Sequence, residues 1–541
     1  MAQPSARSSK ELVQALLDNP DDSGLQDEFD SRIQDSTNDD ELASALSEAF
    51  NKKVEWHNCI GGQICHPLEI RYPKSLNDLI AAVNKGTSLK VPVRAVGSGH
   101  SFSDVCPVDN GILLDPHKMN KTLPVDTSSL KDPGSASTLF SVESGKTIKD
   151  LNTAMDESKP SVALINMGAY DGQTVAGAIS TGTHGTGITL GPIASSVRSL
   201  VLVSASGAAY RIEPSNGITD PAKYSPGPYN IELKQDDDWF QTCLVAMGCV
   251  GLIYSYTLEV MPAYLLSEVR SLTTWEDLRP QLADGINSPL IASNRHFEVD
   301  LNPYAVKGEH CAITIVRGIA DGPPRGTRGP AYWLSGLIAS IPIFEKLLVA
   351  WLEKNPLSTP AIINRALATL KTPHPPYIDR SFKVMNLGKV DNVKAYAVEL
   401  SLDASKDLVG QIDKIIQAFE QAAQDKIGYL TGPMALRFVA PASAYLAPQQ
   451  GRPTCMVELD MLYGASNGPR LLKQIKDTVC TPGSGVRLHW GLDLDFVTAQ
   501  EVPEEYPMFN KWLSVYQTLN ASGMWNNRFT DRLGISVKTQ Q

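Results

Sequence analysis

Between about Lys53 and Met261, short β-prone runs alternate with stretches whose apolar positions recur at helical spacing. The strand-like runs are LKVPVRAVGSG, GILLD, LFSVESG and SLVLVSASGAAYRI, and the helical stretches are SLNDLIAAVNKG and TIKDLNTAMDES. Apolar residues at i, i+3 and i+4 indicate an amphipathic helix, while short runs rich in Val, Ile and Leu indicate buried strands. The alternation predicts a mixed domain, α+β or α/β, built around glycine-rich loops.

The chain after about Pro262 predicts a second α+β region, and the chain before Lys53 predicts an appendage. The second region has strand-like pieces such as NRHFEVDL, HCAITIVRG, AYAVELSLD, MALRFVAP, TCMVELDMLYG and VRLHWGLDLDF, together with the helical stretch LVGQIDKIIQAFEQAAQD. Near the N-terminus, ELVQALLD and DDELASALSEAF have helical spacing on either side of an Asp-rich stretch. We therefore expect three parts, residues 1–52, 53–262 and 263–541.

Composition narrows the class of protein. The 541 residues are 42% hydrophobic and carry a net charge of −11, which argues against a nucleic-acid partner. Residues 1–50 alone hold 12 acidic and 3 basic side chains, so most of the excess charge lies in the predicted N-terminal extension. The rest of the chain is close to neutral.

Cysteine usage and the apolar runs bear on location. Eight cysteines without a CxxC motif or zinc spacing predict no disulfide framework and no metal site, and the N-terminus has no secretory signal. We expect a cytoplasmic or organellar protein that is not secreted. Sixteen uncharged residues between Arg328 and Glu345 fall short of the roughly 18–20 that span a bilayer, and Pro342 interrupts them. The run at 331–352 therefore predicts a buried helix or a peripheral membrane contact.

Two loops carry the candidate chemistry. The first, RAVGSGHSFSD at 94–104, follows a strand-like run, and its glycines and serines suit a phosphate group. It matches neither the P-loop nor GxGxxG, so a structural turn is the alternative. The second, MGAYDGQTVAGAISTGTHGTG at 167–187, has six glycines among small hydroxyl residues. Such a stretch favours close backbone approach to a flat or anionic group.

The order of the two loops, their separation of about 80 residues and the following MGCVGLIYSYTLEV resemble the FAD-binding (PCMH-type) domain of vanillyl-alcohol-oxidase type flavoproteins. Within that superfamily the chain resembles the sugar oxidase branch, which contains aldonolactone and alditol oxidases. HFEVDLNPY, IFEKLLVAWL with IINRAL, HWG at 489–491 and WNNRF at 525–529 extend the resemblance over residues 53–541. It implies an α+β fold: a two-part FAD-binding domain at 53–262 and an α+β substrate domain at 263–541 whose C-terminal segment returns to the flavin.

The resemblance also implies roles for individual residues. His100 takes the position that often carries the flavin covalently through its 8α-methyl group, and a non-covalent packing role is the alternative. No cysteine lies near Gly168 and Ala169, where some relatives have a second link. The pyrophosphate would be held by Gly97, Ser98, Gly99, Ser101 and Ser103. The other side of the cofactor would be lined by Gly172, Gln173, Thr174, Gly177, Thr181, Thr183, His184 and Gly185, with Gly251 and Ile253 closing over it by backbone contact.

In the predicted substrate site, the sequence differs from the pattern of the family that it resembles. The family's Glu-x-Arg strand reads Ala435-Leu436-Arg437 here, and Leu492 stands where lysine usually follows His-Trp-Gly. Strand alternation places Glu458 and Asp460 on one face, and would gather them with Arg437, Arg487 and His489 if these strands are neighbours. We predict that a carboxylate has moved to an adjacent strand and meets Arg437. The alternative is that both carboxylates face solvent.

The function implied is an FAD-dependent oxidase of the D-arabinono-1,4-lactone oxidase kind. Hydride would pass from the CH–OH carbon of an alditol, an aldonolactone or a related small metabolite to flavin N5, and O2 would reoxidise the flavin to give H2O2. His489, with an ordinary pKa of about 6.5, is the expected base and Arg437 the anchor for the substrate oxygen. Glu458 and Asp460 are the further catalytic candidates. The alternatives are an oxidase, dehydrogenase or oxidative cyclase of a less polar secondary metabolite, or a flavoprotein that only binds.

Overall fold

A computed structural model describes residues 7–19, 22–35, 54–326, 342–371, 376–386, 394–465 and 467–538. The first two ranges form helices α1 (Ser9–Asp18) and α2 (Ser23–Asp35), which contact each other. Ser8 caps α1 by accepting the N–H of Glu11, and Glu11 returns a bond to the Ser8 N–H at 2.9 Å. The sequence predicted no helix at 23–35, whereas the structure has α2 there, with Leu25 buried. The predicted helix at 39–50 lies outside the described residues.

Two sheets organise residues 54–262. A three-stranded parallel sheet has the order β3–β5–β4, and a six-stranded sheet, antiparallel except for its β10–β11 pair, has the order β11–β10–β9–β12–β7–β6. The strands are β1 (Trp56–His57), β2 (Ile64–Cys65), β3 (Glu69–Arg71), β4 (Val93–Ala95), β5 (Ile112–Leu114), β6 (Thr122–Leu123), β7 (Leu139–Glu143), β8 (Val162–Ala163), β9 (Val197–Val203), β10 (Ala209–Glu213), β11 (Glu232–Gln235), β12 (Leu252–Glu259) and β13 (Met261–Pro262). The helices are α3 (Leu76–Leu89), α4 (Ile148–Glu157), α5 (Val175–Ser180) and α6 (Asp237–Leu244).

Residues 263–538 are built on one eight-stranded antiparallel sheet with the order β17–β14–β16–β15–β19–β20–β18–β21. Its strands are β14 (Leu265–Thr274), β15 (His296–Leu301), β16 (Cys311–Ala320), β17 (Tyr377–Arg380), β18 (Ala395–Asp403), β19 (Met434–Val439), β20 (Thr454–Leu462) and β21 (Arg487–Leu488). The helices are α7 (Trp275–Gln281), α8 (Pro289–Ala292), α9 (Pro342–Lys354), α10 (Thr359–Thr369), α11 (Ser381–Met385), α12 (Leu408–Gln424), α13 (Gly468–Val479), α14 (Glu501–Glu505), α15 (Phe509–Leu519) and α16 (Arg528–Arg532).

The register of this sheet determines which residues share a face. Directly paired residues of antiparallel strands point to the same side. Glu298 pairs with Arg437, and Asp300 with Ala435. The strand neighbours continue this face through three further pairs: Ala435 with Glu458, Glu399 with Glu458, and Ala397 with Asp460. One face of four adjacent strands therefore carries a row of acidic side chains around a single arginine.

The two halves of the chain are joined at the glycine-rich loops. The N–H of Gly187 donates to the carbonyl of Phe438 at 2.5 Å, so the second loop pairs with β19. At the C-terminus, the side-chain amide of Asn527 donates to the carbonyls of residues 104, 105 and 107, which belong to or follow the first loop. The C-terminal segment thus returns to the first half, and the division at 262/263 remains our proposal.

In the part of the chain that the structure covers, no helix combines the length and the apolar character needed to cross a membrane. The apolar run at 331–352 is only partly described: residues 327–341 lie outside the described ranges, and α9 begins at Pro342. A peripheral membrane contact by this run stays a prediction.

Candidate active site

The first glycine-rich loop leaves the carboxyl end of β4 in a conformation that exposes its amides. Gly99 has φ of +66°, which L-residues rarely adopt, and a Cβ at Gly97 would collide with the hydroxyl of Thr174. In the described ranges, none of the hydrogen bonds is donated by the backbone N–H groups of residues 97–101. Successive free amides beside a glycine turn form a binding site for an anion such as a pyrophosphate.

The second loop supplies the opposite wall. Thr174 caps helix α5 by accepting the N–H of Gly177 at 3.2 Å, which brings the threonine side chain against Gly97. Ser98 Oγ donates to the carbonyl of Gly172 at 2.6 Å and ties the two loops together. The small residues are therefore required because the two backbones approach each other closely.

A cavity of about 110 Å³ lies between the loops. Of the residues predicted to bind the cofactor, those that line it are Gly97, Ser98, Gly99, His100, Ser101, Gln173, Thr174, Gly177, Thr181, Gly251 and Ile253. Lining residues that the sequence did not single out include Met119, Ser144, Ser180, Met247, Gly248 and Leu252. Ser144 Oγ is buried without a hydrogen-bond partner in the described structure, so it offers a free hydroxyl to a bound group. The cavity therefore offers free backbone N–H groups, a close approach of the two loops at Gly97 and the hydroxyl of Ser144. These features fit the binding of an FAD.

Five predicted cofactor residues lie outside this lining. Ser103 was expected to hold the pyrophosphate, but it is buried and donates to the carbonyl of Trp490 at 3.0 Å, so its role is structural. A Cβ at Gly185 would collide with Asn166, and one at Gly172 with Tyr170, which explains the small residues at these two positions by packing. Thr183 and His184 line a second cavity instead.

His100 lies where the two cavities meet, since His100 and Gln173 line both. Burial lowers the pKa of His100 to about 4, so its imidazole is neutral at pH 7 and keeps the lone pair that a nucleophile needs. Its ring lies 4.1 Å from that of Tyr170, and its Nδ1 is 3.4 Å from the thiol of Cys59. The geometry suits attachment of a flavin between the two cavities.

The second cavity, of about 320 Å³, adjoins the polar face of the eight-stranded sheet. Side chains that line it include His184, Glu399, Ala435, Arg437, Glu458, Asp460 and His489 from the sheet side and the second loop, and Phe102, Ile362, Ile363, Ala366, Ala395, Ala397, Leu462 and Leu492 from elsewhere. The four predicted catalytic residues are therefore brought together in one cavity next to His100.

Arg437 is the centre of the polar face. Its Nε donates to Glu298 at 3.1 Å, its Nη1 donates to Glu458, and the same Nη1 lies 3.7 Å from Glu399. The prediction that Glu458 or Asp460 meets Arg437 is confirmed by the Glu458 contact. The alternative of two solvent-facing carboxylates is wrong, since the Glu458 side chain is 22% exposed and that of Arg437 15%.

Glu399 and His184 form a buried ion pair beside this arginine. His184 Nε2 lies 3.0 and 3.1 Å from the two carboxylate oxygens of Glu399, and its Nδ1 lies 2.8 Å from the Gly185 carbonyl. Burial opposes both charges, but their mutual attraction is stronger. It raises the pKa of His184 above its ordinary value and lowers the pKa of Glu399 to about 2. The raised pKa favours the imidazolium form of His184, which donates at both nitrogens.

Asp460 and His489 differ from their predicted states. Burial, and then the neighbouring charge of Glu458, raise the pKa of Asp460 well above its ordinary value, which favours the protonated carboxyl. Burial lowers the pKa of His489 to about 4. Its Nδ1 accepts the N–H of Gly491 at 3.0 Å, which leaves its proton on Nε2. His489 thus presents a donor, and the expectation of a base that titrates near neutrality does not fit.

Arg487 does not join the cluster. Its guanidinium donates to the carbonyls of Glu505, Pro448 and Gln450, and it lines a separate cavity. The sequence reasoning also missed Glu298 and Glu399. Each is an acidic residue with an apolar neighbour on either side in a strand, HFEVDL and AYAVELSLD, and that was the available signal.

The sequence predicted no metal site. Ligand atoms of His184, Glu399 and His489 lie within 4.8 Å of one another, an arrangement that can hold an ion. Nε2 of His184 already has Glu399 as its partner, and Nδ1 of His489 already accepts the N–H of Gly491.

The fold and the two adjoining cavities define a flavin-dependent oxidoreductase of the vanillyl-alcohol-oxidase type. The FAD binding domain family matches residues 67–213, and the D-arabinono-1,4-lactone oxidase family matches residues 256–533. The chain belongs to the D-arabinono-1,4-lactone oxidase family.

Named relatives cover most of the chain. It is 24% identical over 483 residues to the L-gulono-1,4-lactone dehydrogenase of Mycobacterium tuberculosis, which covers 88% of this chain and 98% of the relative. It is 24% identical over 497 residues to the L-gulonolactone oxidase of Bos taurus, with 89% and 98% covered. The D-arabinono-1,4-lactone oxidase of Yarrowia lipolytica is 26% identical over 293 residues, 54% of this chain and 48% of that protein.

Solved structures agree on the fold. A solvent-stable cholesterol oxidase superposes with a TM-score of 0.67 at 14% identity, covering 89% of this chain and 97% of its own. The cholesterol oxidase from B. sterolicum gives 0.66 at 13% identity, with 89% and 96% covered. At these identities the likeness concerns the fold alone.

Proposed function

We propose that this FAD-dependent oxidoreductase oxidises a CH–OH carbon of an aldonolactone or a related polyol in the cavity beside His100, with O2 as the electron acceptor. The observation that supports this most is the position of the Arg437–Glu458 pair in a cavity that meets the cofactor cavity at His100 and Gln173. When bound, FAD supplies the acceptor for a hydride equivalent and delivers two electrons to O2, yielding H2O2.

Glu458 is our candidate for the group that takes the hydroxyl proton of the substrate. Glu399 is a poor base because its pKa of about 2 reflects a charge already neutralised by His184, and the raised pKa of Asp460 favours its protonated form. Glu458 lines the cavity, and Arg437 is its hydrogen-bond partner in the described part of the chain. Contact with a fixed guanidinium orients the carboxylate toward the substrate.

Arg437 and His489 would bind and orient the substrate, and His184 would support them indirectly. Arg437 is held by three carboxylates, so it cannot leave the site, and its charge favours a substrate oxygen that becomes negative as its proton departs. The Nε2–H of His489 is a neutral donor in the same cavity. His184, whose two nitrogens are already engaged, would keep Glu399 in place and would not contact the substrate.

We propose that His100 carries the flavin covalently and that the free amides of residues 97–101 hold the pyrophosphate. The neutral imidazole at the junction of the cavities supports the first proposal. The relatives include proteins named as an oxidase and as a dehydrogenase, so the acceptor needs its own measurement.

The test is anaerobic mixing of the purified yellow protein with L-gulono-1,4-lactone, D-arabinono-1,4-lactone and alditols, followed by admission of O2. We expect bleaching of the flavin absorbance by at least one lactone or polyol, and peroxide release on reoxidation. A flavin that dithionite reduces but that no member of the panel bleaches would contradict the proposed reaction. Bleaching without peroxide release would contradict only the choice of O2.

A further inference from the structure

We infer that the substrate is amphiphilic: a lactone or polyol that places its oxidised carbon at the charged end of the cavity and carries an apolar substituent toward the other end. This inference rests on the proposed function and adds the substrate class. The charged end is Glu399, Arg437 and Glu458. The apolar end is Phe102, Ala395, Leu462 and Leu492, with Ile362 and Ala366 of helix α10.

Along strands β18 and β20, the side chains on one face change from charged to apolar. Strands β18 and β20 pair Glu399 with Glu458, then Ala397 with Asp460, then Ala395 with Leu462. These residues share one face, so the floor of the cavity passes from two carboxylates to a pair of aliphatic side chains within four residues. Asp460, whose pKa is raised well above its ordinary value, occupies the middle step.

The loops and helix α10 reinforce the apolar end. Phe102 and Ala397 belong to one hydrophobic cluster, against which Ala395 and Leu492 pack. Ile362 and Ala366, one turn apart on α10, are half-buried and line the same cavity. The hydroxyl of Thr431, also in the lining, already accepts the N–H of Leu462 at 2.7 Å.

This lining disfavours a ligand with hydroxyl groups on every side. Hydroxyls that leave water and meet Ile362, Leu462 or Leu492 lose hydrogen bonds without replacing them. An aliphatic group at the same place removes apolar surface of ligand and protein from water. The cavity therefore favours a molecule with one polyhydroxylated end and one apolar end.

The experiment compares L-gulono-1,4-lactone with its 6-O-hexanoyl ester on the FAD-loaded enzyme. The two share the hydroxyls at C2, C3 and C5 and differ at C6, where an ester with an apolar tail replaces the hydroxyl. Anaerobic stopped-flow gives the rate of flavin reduction divided by the apparent Kd for each. We expect this quotient to be at least about tenfold higher for the ester.

Two variants locate the effect. Leu462→Gln places a polar group at the apolar end and should bring the preference for the ester close to one, and Ala395→Ser gives an independent check if the first variant folds poorly. Leu357→Gln is the matched control, because Leu357 is 82% exposed and lies outside the lining. It should keep the wild-type preference.

Equal or faster reduction by the unsubstituted lactone overturns the inference and leaves the proposed function intact. A preference for the ester that survives in both Leu462→Gln and Ala395→Ser overturns the assignment of the apolar end. If neither lactone bleaches a flavin that dithionite reduces, the proposed lactone chemistry fails and the inference fails with it.

Discussion

Replacing Glu458 by glutamine tests the proposed proton acceptor most directly. The amide keeps an oxygen that can accept from Arg437 but cannot take a proton from the substrate. Arg437 retains Glu298 at 3.1 Å and Glu399 at 3.7 Å, so the guanidinium keeps its position. The substitution therefore separates loss of basicity from loss of the anchor.

The size of the effect follows from these contacts. A positioned general base contributes about 10²–10⁴-fold to a rate, or roughly 3–5 kcal/mol of barrier. If Glu458 served only as a third partner of Arg437, its loss would lower the rate far less, because two carboxylate partners would remain. We expect Glu458→Gln to reduce the rate of flavin reduction at least about a hundredfold.

The assay is the anaerobic rate of flavin bleaching at saturating substrate, normalised to bound flavin. Asp460→Asn is the control: the pKa of this neighbouring carboxyl is raised well above its ordinary value, so the amide resembles its favoured neutral form and the rate should stay within about threefold. A Glu458→Gln enzyme with full flavin content and a rate within tenfold of wild type would refute the assignment. Equal losses in both variants would point to a structural role.

Four further predictions follow from other parts of the molecule. His100→Ala should still bind FAD, but the flavin should then appear in the supernatant after acid precipitation; flavin in that supernatant from the wild type would contradict covalent attachment. Gly97→Val should abolish FAD binding, because its side chain would collide with Thr174, and absorbance at 450 nm measures this. A truncated chain that starts at Asn51 should remain soluble and yellow. His184 stabilises the fold below its ordinary pKa of about 6.5, and this contribution is lost as the pH rises through its raised folded-state pKa. The destabilisation by His184→Gln in urea titrations, roughly 3–5 kcal/mol at pH 6, should therefore shrink at alkaline pH.

The sequence was sufficient to predict most residues that line the cofactor cavity, because the motifs that carry this information are local segments of the chain. The two glycine-rich loops are continuous segments, and most residues predicted from them line the cofactor cavity. The hydroxyl of Ser103 points toward the carbonyl of Trp490, because one loop residue can turn its side chain away without changing the motif. A motif specifies the path of the backbone more securely than the direction of each side chain.

The substrate half depends on which strands are neighbours, and no local pattern encodes that. The alternation of side chains along one strand placed Glu458 and Asp460 on the same face. Glu298 of β15 and Glu399 of β18 also reach Arg437, but they lie more than 130 and about 40 residues before it in the sequence, respectively. Protonation states were also out of reach. His489 and Asp460 differ from their ordinary behaviour because burial and neighbouring charges, known only after folding, set their pKa values.

Arg94, immediately before the first loop, has a consequence for how the enzyme matures. This fully buried guanidinium donates to the carbonyls of Val105, Met247 and Gly248, and at 3.0 Å to that of Trp525. Met247 and Gly248 line the cofactor cavity, whereas Trp525 lies 431 residues after Arg94 in the sequence. Until the segment around Trp525 has been synthesised and has packed against Arg94, this guanidinium lacks one of its carbonyl partners in the interior. Loading of the flavin should therefore follow the packing of that segment rather than accompany synthesis of residues 54–262.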